Sequence, residues 1–335
     1  MSPSSRVGAD LCVRPAKISV IMPSYNHGQY IGEAIQSVLD QTYPHWELII
    51  ADNFSTDHTQ EVVRQFQDPR IQFLQFNNQG RIAAGRNFGI SQATGEYLAF
   101  VDSDDIWMLD KLEKQIQVLE NNPEISMVSS SFIPIGEVDL AYNHIAGLFK
   151  SDLDFQDFSY SGVLLSRPII TSSALVRCEQ FLTILFDEDL RFMCIEDFDA
   201  WLRLVAKFGP VRVLKEPLVS YRVIVSKSRN IVKIAENMFV LLQKQQDLGL
   251  LAGYDRKKAL ADAHLAVANA ILKMPASSFP KRLQAIGHYS KAFFGMSGLS
   301  KKMVCVLGVL LAGIPKIIQS KVISRLIKFR ANMSV

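Results

Sequence analysis

Tyr97-Leu98-Ala99-Phe100-Val101-Asp102-Ser103-Asp104-Asp105-Ile106-Trp107 is the stretch from which the fold is read. Its first five residues form a mostly apolar run, the mark of a strand buried on both faces in a parallel sheet. Thr94-Gly95 supplies the turn before it. Asp102, Asp104 and Asp105 follow at once. Crowded carboxylates raise one another's pKa, and a divalent cation relieves that repulsion. Mg²⁺ and Mn²⁺ prefer such oxygen ligands. In open α/β sheets, ligands bind outside the carboxyl ends of the strands. The stretch therefore points to a metal site at a sheet edge, facing a phosphorylated ligand. The alternative is that Asp105 and Asp110 are turn or N-cap residues for a helix over Lys111–Leu119.

Working back towards the N-terminus, Lys17–Met22 reads as a strand ended by Pro23-Ser24-Tyr25-Asn26, because proline cannot continue a central ladder. Ile31, Ala34, Ile35, Val38 and Leu39 define one face of an amphipathic helix. A second buried strand, Trp46–Ala51, runs into Asp52-Asn53-Phe54-Ser55-Thr56-Asp57, with Ser55 or Thr56 as N-cap for a helix over Glu61–Phe66. A third strand over Ile71–Phe76 leads to Asn77-Asn78-Gln79-Gly80, and a helix over Arg81–Ala93 carries Arg86-Asn87. This β-α-β-α-β-α-β order implies right-handed crossovers and an α/β fold, a mostly parallel sheet with helices on both faces. The strand ends bring Asp52, Asn53, Asn78, Arg86, Asp102 and Asp104 to one crevice. Acceptors and amides suit a base and ribose, arginine suits phosphate, and paired aspartates suit a metal. No GxGxxG or Walker sequence opens these turns, which speaks against dinucleotide and P-loop sites.

The 335 residues are 48% hydrophobic and 21% charged, an ordinary globular balance. The net charge of +3 is unevenly spread, for Lys281–Val335 holds ten Lys/Arg and no Asp/Glu. The four cysteines, Cys12, Cys178, Cys194 and Cys305, form no CxxC pair and suggest neither zinc nor a disulfide framework. Met1–Arg14 has no apolar signal core, so a cytoplasmic protein is expected.

The chain resembles glycosyltransferase family 2, of the GT-A fold. The resemblance is carried by Ser19–Asn26, Gln41-Thr42-Tyr43, Asp52–Asp57, Asn78-Gln79-Gly80 with Arg86-Asn87, and Asp102-Ser103-Asp104-Asp105. It covers residues 17–120 nearly without gaps and weakens beyond. It implies a Rossmann-like nucleotide-sugar-binding half over 17–120, after an N-terminal extension over 1–16. In the family, Asp102, Ser103 and Asp104 would meet the ribose and the Mn²⁺ or Mg²⁺ that holds the diphosphate. Asp104 would be the direct metal ligand and Asp102 its companion. Pro23, Tyr25, Asp52, Asn53, Asn78 and Arg86 would frame the nucleotide. Many members have Asp-Asp where this chain has Asp52-Asn53; an amide both donates and accepts, so a uridine nucleotide stays favoured.

Residues 121–229 are expected to form the acceptor half. Ile125–Phe132 reads as a strand, Pro134–Ser161 as a flexible acceptor lid, and Thr171–Val176 as a strand. Glu196-Asp197-Phe198-Asp199-Ala200-Trp201-Leu202-Arg203 reads in isolation as a helix with acidic residues in its first turn, which the helix dipole favours. By the family resemblance, Asp197 is the general base and Glu196 supports it. Pro217–Arg222 also resembles the family, whose members often place a His two residues after that Arg. Ile224 stands there instead, and Ser226-Lys227-Ser228-Arg229 could supply cationic contacts.

Residues 230–335 read as a helical, basic C-terminal region. Met303–Ile314 is uncharged over twelve residues, short of the roughly 20 that span a bilayer. Lys316–Arg330 pairs an apolar with a basic face, as in a helix lying on an anionic membrane. A peripheral contact through 303–330 on the cytoplasmic face is one expectation; a core helix or subunit contact is the other. Nucleic acid is not expected, since the body is acidic and stacking aromatics are sparse in the tail.

The resemblance to the family implies an inverting, metal-dependent transfer of a sugar from a nucleoside-diphosphate-sugar to a hydroxyl of a glycan or lipid-linked acceptor, in bacterial surface polysaccharide synthesis. The alternatives are a sugar-phosphate nucleotidyltransferase, which would release pyrophosphate, and a non-catalytic membrane-associated sugar-nucleotide-binding protein.

Overall fold

The computed structural model describes residues 16–136, 153–223, 231–251, 253–273 and 279–295. They fall into two compact units that alternate along the chain. The first comprises the residues up to Asp157 with Ile169–Leu185 and Phe208–Val223; the second comprises Phe158–Pro168, Phe186–Lys207 and the residues from Ile231 on.

The first unit is an α/β sheet. Its strands are β1 (Ile18–Ser24), β2 (Trp46–Asp52), β3 (Ile71–Gln75), β4 (Tyr97–Phe100), β5 (Ile106–Trp107), β6 (Met127–Gly136), β7 (Phe155–Phe158, all but its last residue), β8 (Leu175–Arg177) and β9 (Val211–Val223). Their order is β3-β2-β1-β4-β8-β6-β9-β5, with β7 on β9. From β3 through β4 every pairing is parallel, as the apolar runs imply, and every residue of β1 and β2 is buried. Beyond β4 the sheet is mixed: β4–β8, β8–β6 and β9–β5 are antiparallel, while β6–β9 is parallel. Strand β1 lies between β2 and β4, so the chain leaves it in one direction and returns on its other side. Such a reversal opens a crevice at the carboxyl ends of β1 and β4.

Helices α1 (Ile31–Leu39), α2 (Thr59–Val63), α3 (Ile82–Ser91), α4 (Lys111–Asn121) and the short α6 (Cys178–Phe181) complete this unit. Helix α1 buries Ile31, Ala34, Ile35 and Val38, the face expected from the periodicity. They join Val20, Met22, Leu48, Ile50, Val101, Leu112 and Ile116 in one core. Gly95 is required in the turn before β4, because a Cβ there would lie 2.7 Å from the Lys17 carbonyl. Its N–H donates to Ser19 Oγ at 2.9 Å.

Several boundaries differ from expectation. Pro23 lies inside β1, which pairs with β2 as far as Ser24 but with β4 only as far as Ile21. A missing N–H there costs no bond on the side that has no strand. Helix α2 starts at Thr59 rather than after Ser55 or Thr56, because the Asp57 carboxylate takes the Thr59 N–H at 3.0 Å and the Gly28 N–H at 2.9 Å. Thr171–Ser173 is a 3-10 turn rather than the start of a strand. Strand β9 continues through Pro217 because the register against β6 slips between Ser130 and Phe132, making a bulge where a proline is tolerated. Within the expected lid, residues to Gly136 extend β6, Phe155–Phe158 is a strand and Tyr160 begins a helix; residues 137–152 lie outside the described residues.

Lys111, at the start of α4, is fully buried, its Nζ donating to Gln115 Oε1 at 2.7 Å and lying 4.0 Å from the centre of the Trp107 ring. Burial holds its amine well below the ordinary lysine value of 10.5. The unfolded chain thus binds a proton that the folded one gives up, so stability rises with pH towards 10.5. Lys111→Met is expected to flatten that rise in thermal denaturation between pH 7 and pH 10. The slope is the diagnostic, since the variant also leaves Gln115 Oε1 without its donor; an unchanged slope would mean that the amine stays charged.

The second unit holds α5 (Tyr160–Ser166), α7 (Glu196–Phe208, all but its last residue), α8 (Ile231–Asp247), α9 (Gly253–Lys273) and α10 (Phe279–Gly295). Fully buried Asp199 ties α7 to α8, accepting from Arg203 Nε at 2.8 Å, Lys244 Nζ at 2.7 Å and Gln245 Nε2 at 2.9 Å. That satisfies a buried carboxylate that would otherwise be costly. Among the described residues no helix is long and apolar enough to cross a membrane. The 303–330 segment and residues 224–230 lie outside the described residues.

Candidate active site

Hydrogen bonds in the first unit link the loops that leave the carboxyl ends of β1, β2 and β3. Asn53 N–H donates to the Ser24 carbonyl at 2.9 Å, and Asn78 N–H donates to Asn53 Oδ1 at 3.0 Å. Asn26 N–H donates to Ser55 Oγ at 2.8 Å, while Asn26 Oδ1 accepts the Thr56 N–H at 2.8 Å. Buried Asp52 is committed to its own turn, with Ser55 Oγ at 2.5 Å and Ser55 N at 2.9 Å. Asn53 Nδ2 has no hydrogen-bond partner among the described residues, which leaves an amide donor open at this edge. Pro23 is in β1, and Tyr25 beyond it is 53% exposed. Asn78 Oδ1 accepts the Gly80 N–H at 2.8 Å. The expected nucleotide-framing residues from β1 to β3 thus come together.

The aspartate turn after β4 joins them through α3. Buried Arg86 donates from Nη2 to Asp102 Oδ1 at 2.7 Å, so its guanidinium orients that carboxylate. Asp102 N–H donates to Ser172 Oγ at 3.0 Å, and His27 Nδ1 lies 2.7 Å from Ser103 Oγ. Burial, then the charge of Asp102, raises the Asp104 pKa, with His27 and Arg222 opposing the shift. Asp105 is buried and turned away to a different task. It accepts from Ser172 Oγ and, at 2.8 Å, from Arg222 N–H. Burial and the charges of Asp102 and Asp104 push its carboxyl well up. Arg222 closes the clasp, with Nε to the Asp104 carbonyl at 2.8 Å and Nη2 to Glu33 at 2.7 Å.

Among the described residues no group of three or more His, Cys, Asp or Glu side chains could enclose an ion. The donor set nevertheless fits Mg²⁺ or Mn²⁺. Asp104 and Asp102 offer hard oxygens beside each other at a cost in repulsion, and such ions are commonly held by one or two carboxylates together with substrate phosphates.

Glu196 and Asp197 open α7 in the second unit. Glu196 is buried, whereas Asp197 is half-buried and accepts the Phe198 N–H at 2.7 Å. The Arg167 guanidinium lies 5.4 Å from the centre of the Phe198 ring.

Sequence reading missed His27, Ser172 and the clasp made by Asp105 with Arg222. Ser172 is 67 residues from Asp105 and Arg222 is 117, and no local pattern joins them. The run Pro217–Arg222 was the one visible signal.

The fold has solved counterparts. TarS 1–349 of S. aureus in complex with UDP-GlcNAc matches with a TM-score of 0.64 at 18% identity, over 84% of this chain and 82% of that one. The mannosyltransferase PcManGT of Pyrobaculum calidifontis, in complex with GDP-Man and Mn²⁺, matches with a TM-score of 0.58 at 20% identity, over 94% and 87%. A GT-A sheet with carboxylates, amides and an arginine at its switch point defines the class. The family model described as Glycosyl transferase family 2 matches residues 19–177. Among curated relatives, the E. coli UDP-Glc:alpha-D-GlcNAc-diphosphoundecaprenol beta-1,3-glucosyltransferase WfgD is 33% identical over 238 residues, 69% of this chain and 84% of that protein. TuaG of Bacillus subtilis (strain 168), named for teichuronic acid biosynthesis, is 30% identical over 217 residues, 62% and 79%. The chain belongs to glycosyltransferase family 2, and it is a nucleotide-sugar glycosyltransferase.

Proposed function

We propose that the protein moves a sugar from a nucleoside diphosphate, a uridine nucleotide by preference, to a hydroxyl of a glycan or lipid-linked acceptor, with inversion at the anomeric carbon. The observation that carries this reading is the Asp102/Asp104 pair at the sheet's switch point, with Asp102 held by Arg86 at 2.7 Å. The relatives' names support a place in bacterial surface polysaccharide synthesis, and the UDP named for WfgD and TarS supports the uridine preference. The open amide of Asn53 suits a pyrimidine, whose edge both donates and accepts.

In this reading Pro23, Tyr25, Asp52, Asn53 and Asn78 frame the base and ribose. Asp102, aligned by Arg86, takes a ribose hydroxyl, with Ser103 beside it. Asp104, with Asp102, holds the divalent cation. When bound, a cation there supplies Lewis-acid relief of the charge on the departing diphosphate. Asp197 accepts the proton of the acceptor hydroxyl as that oxygen bonds to the anomeric carbon, from the face opposite the leaving group. A carboxylate is too weak a base to ionise an alcohol beforehand, but it can take the proton as the bond forms. Glu196 supports Asp197. Residues 17–120 serve the donor, 121–229 the acceptor, and 303–330 of the 230–335 region meets the membrane surface peripherally.

A panel of nucleoside-diphosphate-sugars with Mn²⁺ and lipid-linked acceptors tests the reading. The expected product is a nucleoside diphosphate. Release of pyrophosphate from nucleoside triphosphates instead would move the protein to the nucleotidyltransferases, and binding with no turnover across the panel would leave a sugar-nucleotide-binding protein.

A further inference from the structure

Three residues other than glycine adopt left-handed backbone conformations just beyond β1, β2 and β3: Asn26 at φ 51°, Phe54 at φ 53° and Gln79 at φ 52°. This region suits glycine and, among side-chain residues, chiefly Asn and Asp. Asn26 is compensated, since its Oδ1 accepts the Thr56 N–H at 2.8 Å. Gln79 is compensated as well, its Oε1 accepting from Arg81 Nη2 at 3.0 Å. Phe54 is not. It is 51% exposed and its ring meets no other aromatic ring among the described residues. A bulky aromatic is thus kept in a left-handed conformation with half of its surface in water. Strain of this kind gathers at ligand sites.

Its position says which ligand. Phe54 follows Asn53, whose backbone is bonded to Ser24 and Asn78 and whose Nδ2 is open. Half-exposed Tyr25 stands on the neighbouring loop, next to Asn26, and the two loops are joined through Asn26, Ser55 and Thr56. Two exposed aromatic residues, Tyr25 and Phe54, therefore stand on loops that are bonded to one another, and Phe54 is next in sequence to Asn53. We propose that Phe54 is a stacking platform for the nucleobase of the donor, and that its backbone strain is retained for that contact. The inference rests on the nucleotide-sugar reading above and adds a base-contacting residue to it.

The test combines thermal denaturation with calorimetry of uridine, guanosine and thymidine diphosphates and of inorganic pyrophosphate, all with Mn²⁺. Phe54→Gly is expected to raise Tm by roughly 2–4 °C through relief of strain. It should also weaken the preferred nucleoside diphosphate about tenfold or more, the effect of losing one base–aromatic stack, and leave pyrophosphate binding unchanged. Phe54→Asn, tolerated in the left-handed region, gives the same comparison if the glycine variant loosens the loop, and Phe54→Trp should keep affinity. Nucleotide affinity unchanged in both Phe54→Gly and Phe54→Asn overturns the proposal. So does an equal loss for pyrophosphate, or a fall in Tm in both variants. If the unaltered protein binds none of the nucleotides, it is the nucleotide-sugar reading itself that fails.

Discussion

Asp197→Asn is expected to lower kcat by about 10²–10⁴, the usual worth of a positioned general base, while nucleoside diphosphate affinity stays within about twofold. Asparagine has the shape of aspartate, and its Oδ1 can still accept the Phe198 N–H that Asp197 takes at 2.7 Å. The helix start is therefore kept and Tm should hold. What is lost is the capacity to receive a proton as the acceptor oxygen bonds to the sugar. Single-turnover kinetics beside calorimetry separate the two effects, since a base acts on chemistry and not on donor binding. Full activity in the variant would remove Asp197 from the base role and leave Glu196-Asp197 as acidic residues at a helix start, where the dipole favours them anyway.

Asp104→Ala should act in the opposite place. Its expected result is loss of the Mn²⁺-dependent part of nucleoside diphosphate affinity, by more than about 100-fold, since removing even an outer-shell partner of a metal ligand costs 10–100-fold. The turn itself should survive. Arg222 bonds the backbone carbonyl of residue 104 at 2.8 Å, Asp105 stays clasped by Ser172 and the Arg222 N–H, and Arg86 still holds Asp102. Calorimetry with and without Mn²⁺ reads the effect without any need for the acceptor. Should Mn²⁺ make no difference to the unaltered protein, the metal assignment of Asp102 and Asp104 falls, whatever the variant does.

The two predictions rest on different grounds. That for Asp104 grows from local chemistry, two carboxylates crowded at the end of a buried strand. The role proposed for Asp197 rests on family resemblance, because acidic residues in the first turn of a helix are ordinary. Arg86 shows how structure changes the sense of a residue. An arginine near a phosphate site reads as a phosphate ligand, and here it is also buried with its Nη2 on Asp102 at 2.7 Å, which orients that carboxylate. The three aspartates of the turn likewise look equivalent in sequence, but only Asp102 and Asp104 are available to a ligand, while Asp105 is a buried brace.

What could be read along the chain was whatever is written at short range. The apolar runs of β1, β2 and β4 and the helical period of α1 identified a parallel α/β sheet, and the polar residues after each strand marked the edge proposed to hold the donor. Hydrophobic burial acts on local pattern, and the right-handed crossover does the rest. Four things emerged only in three dimensions: the mixed half of the sheet, the bulge that carries Pro217, the pairing of Ser172 and Arg222 with Asp105, and the alternation of two compact units along the chain. Each depends on contacts between residues far apart in sequence, where pairing is chosen by the geometry of the whole sheet and leaves no period for a local reading to detect.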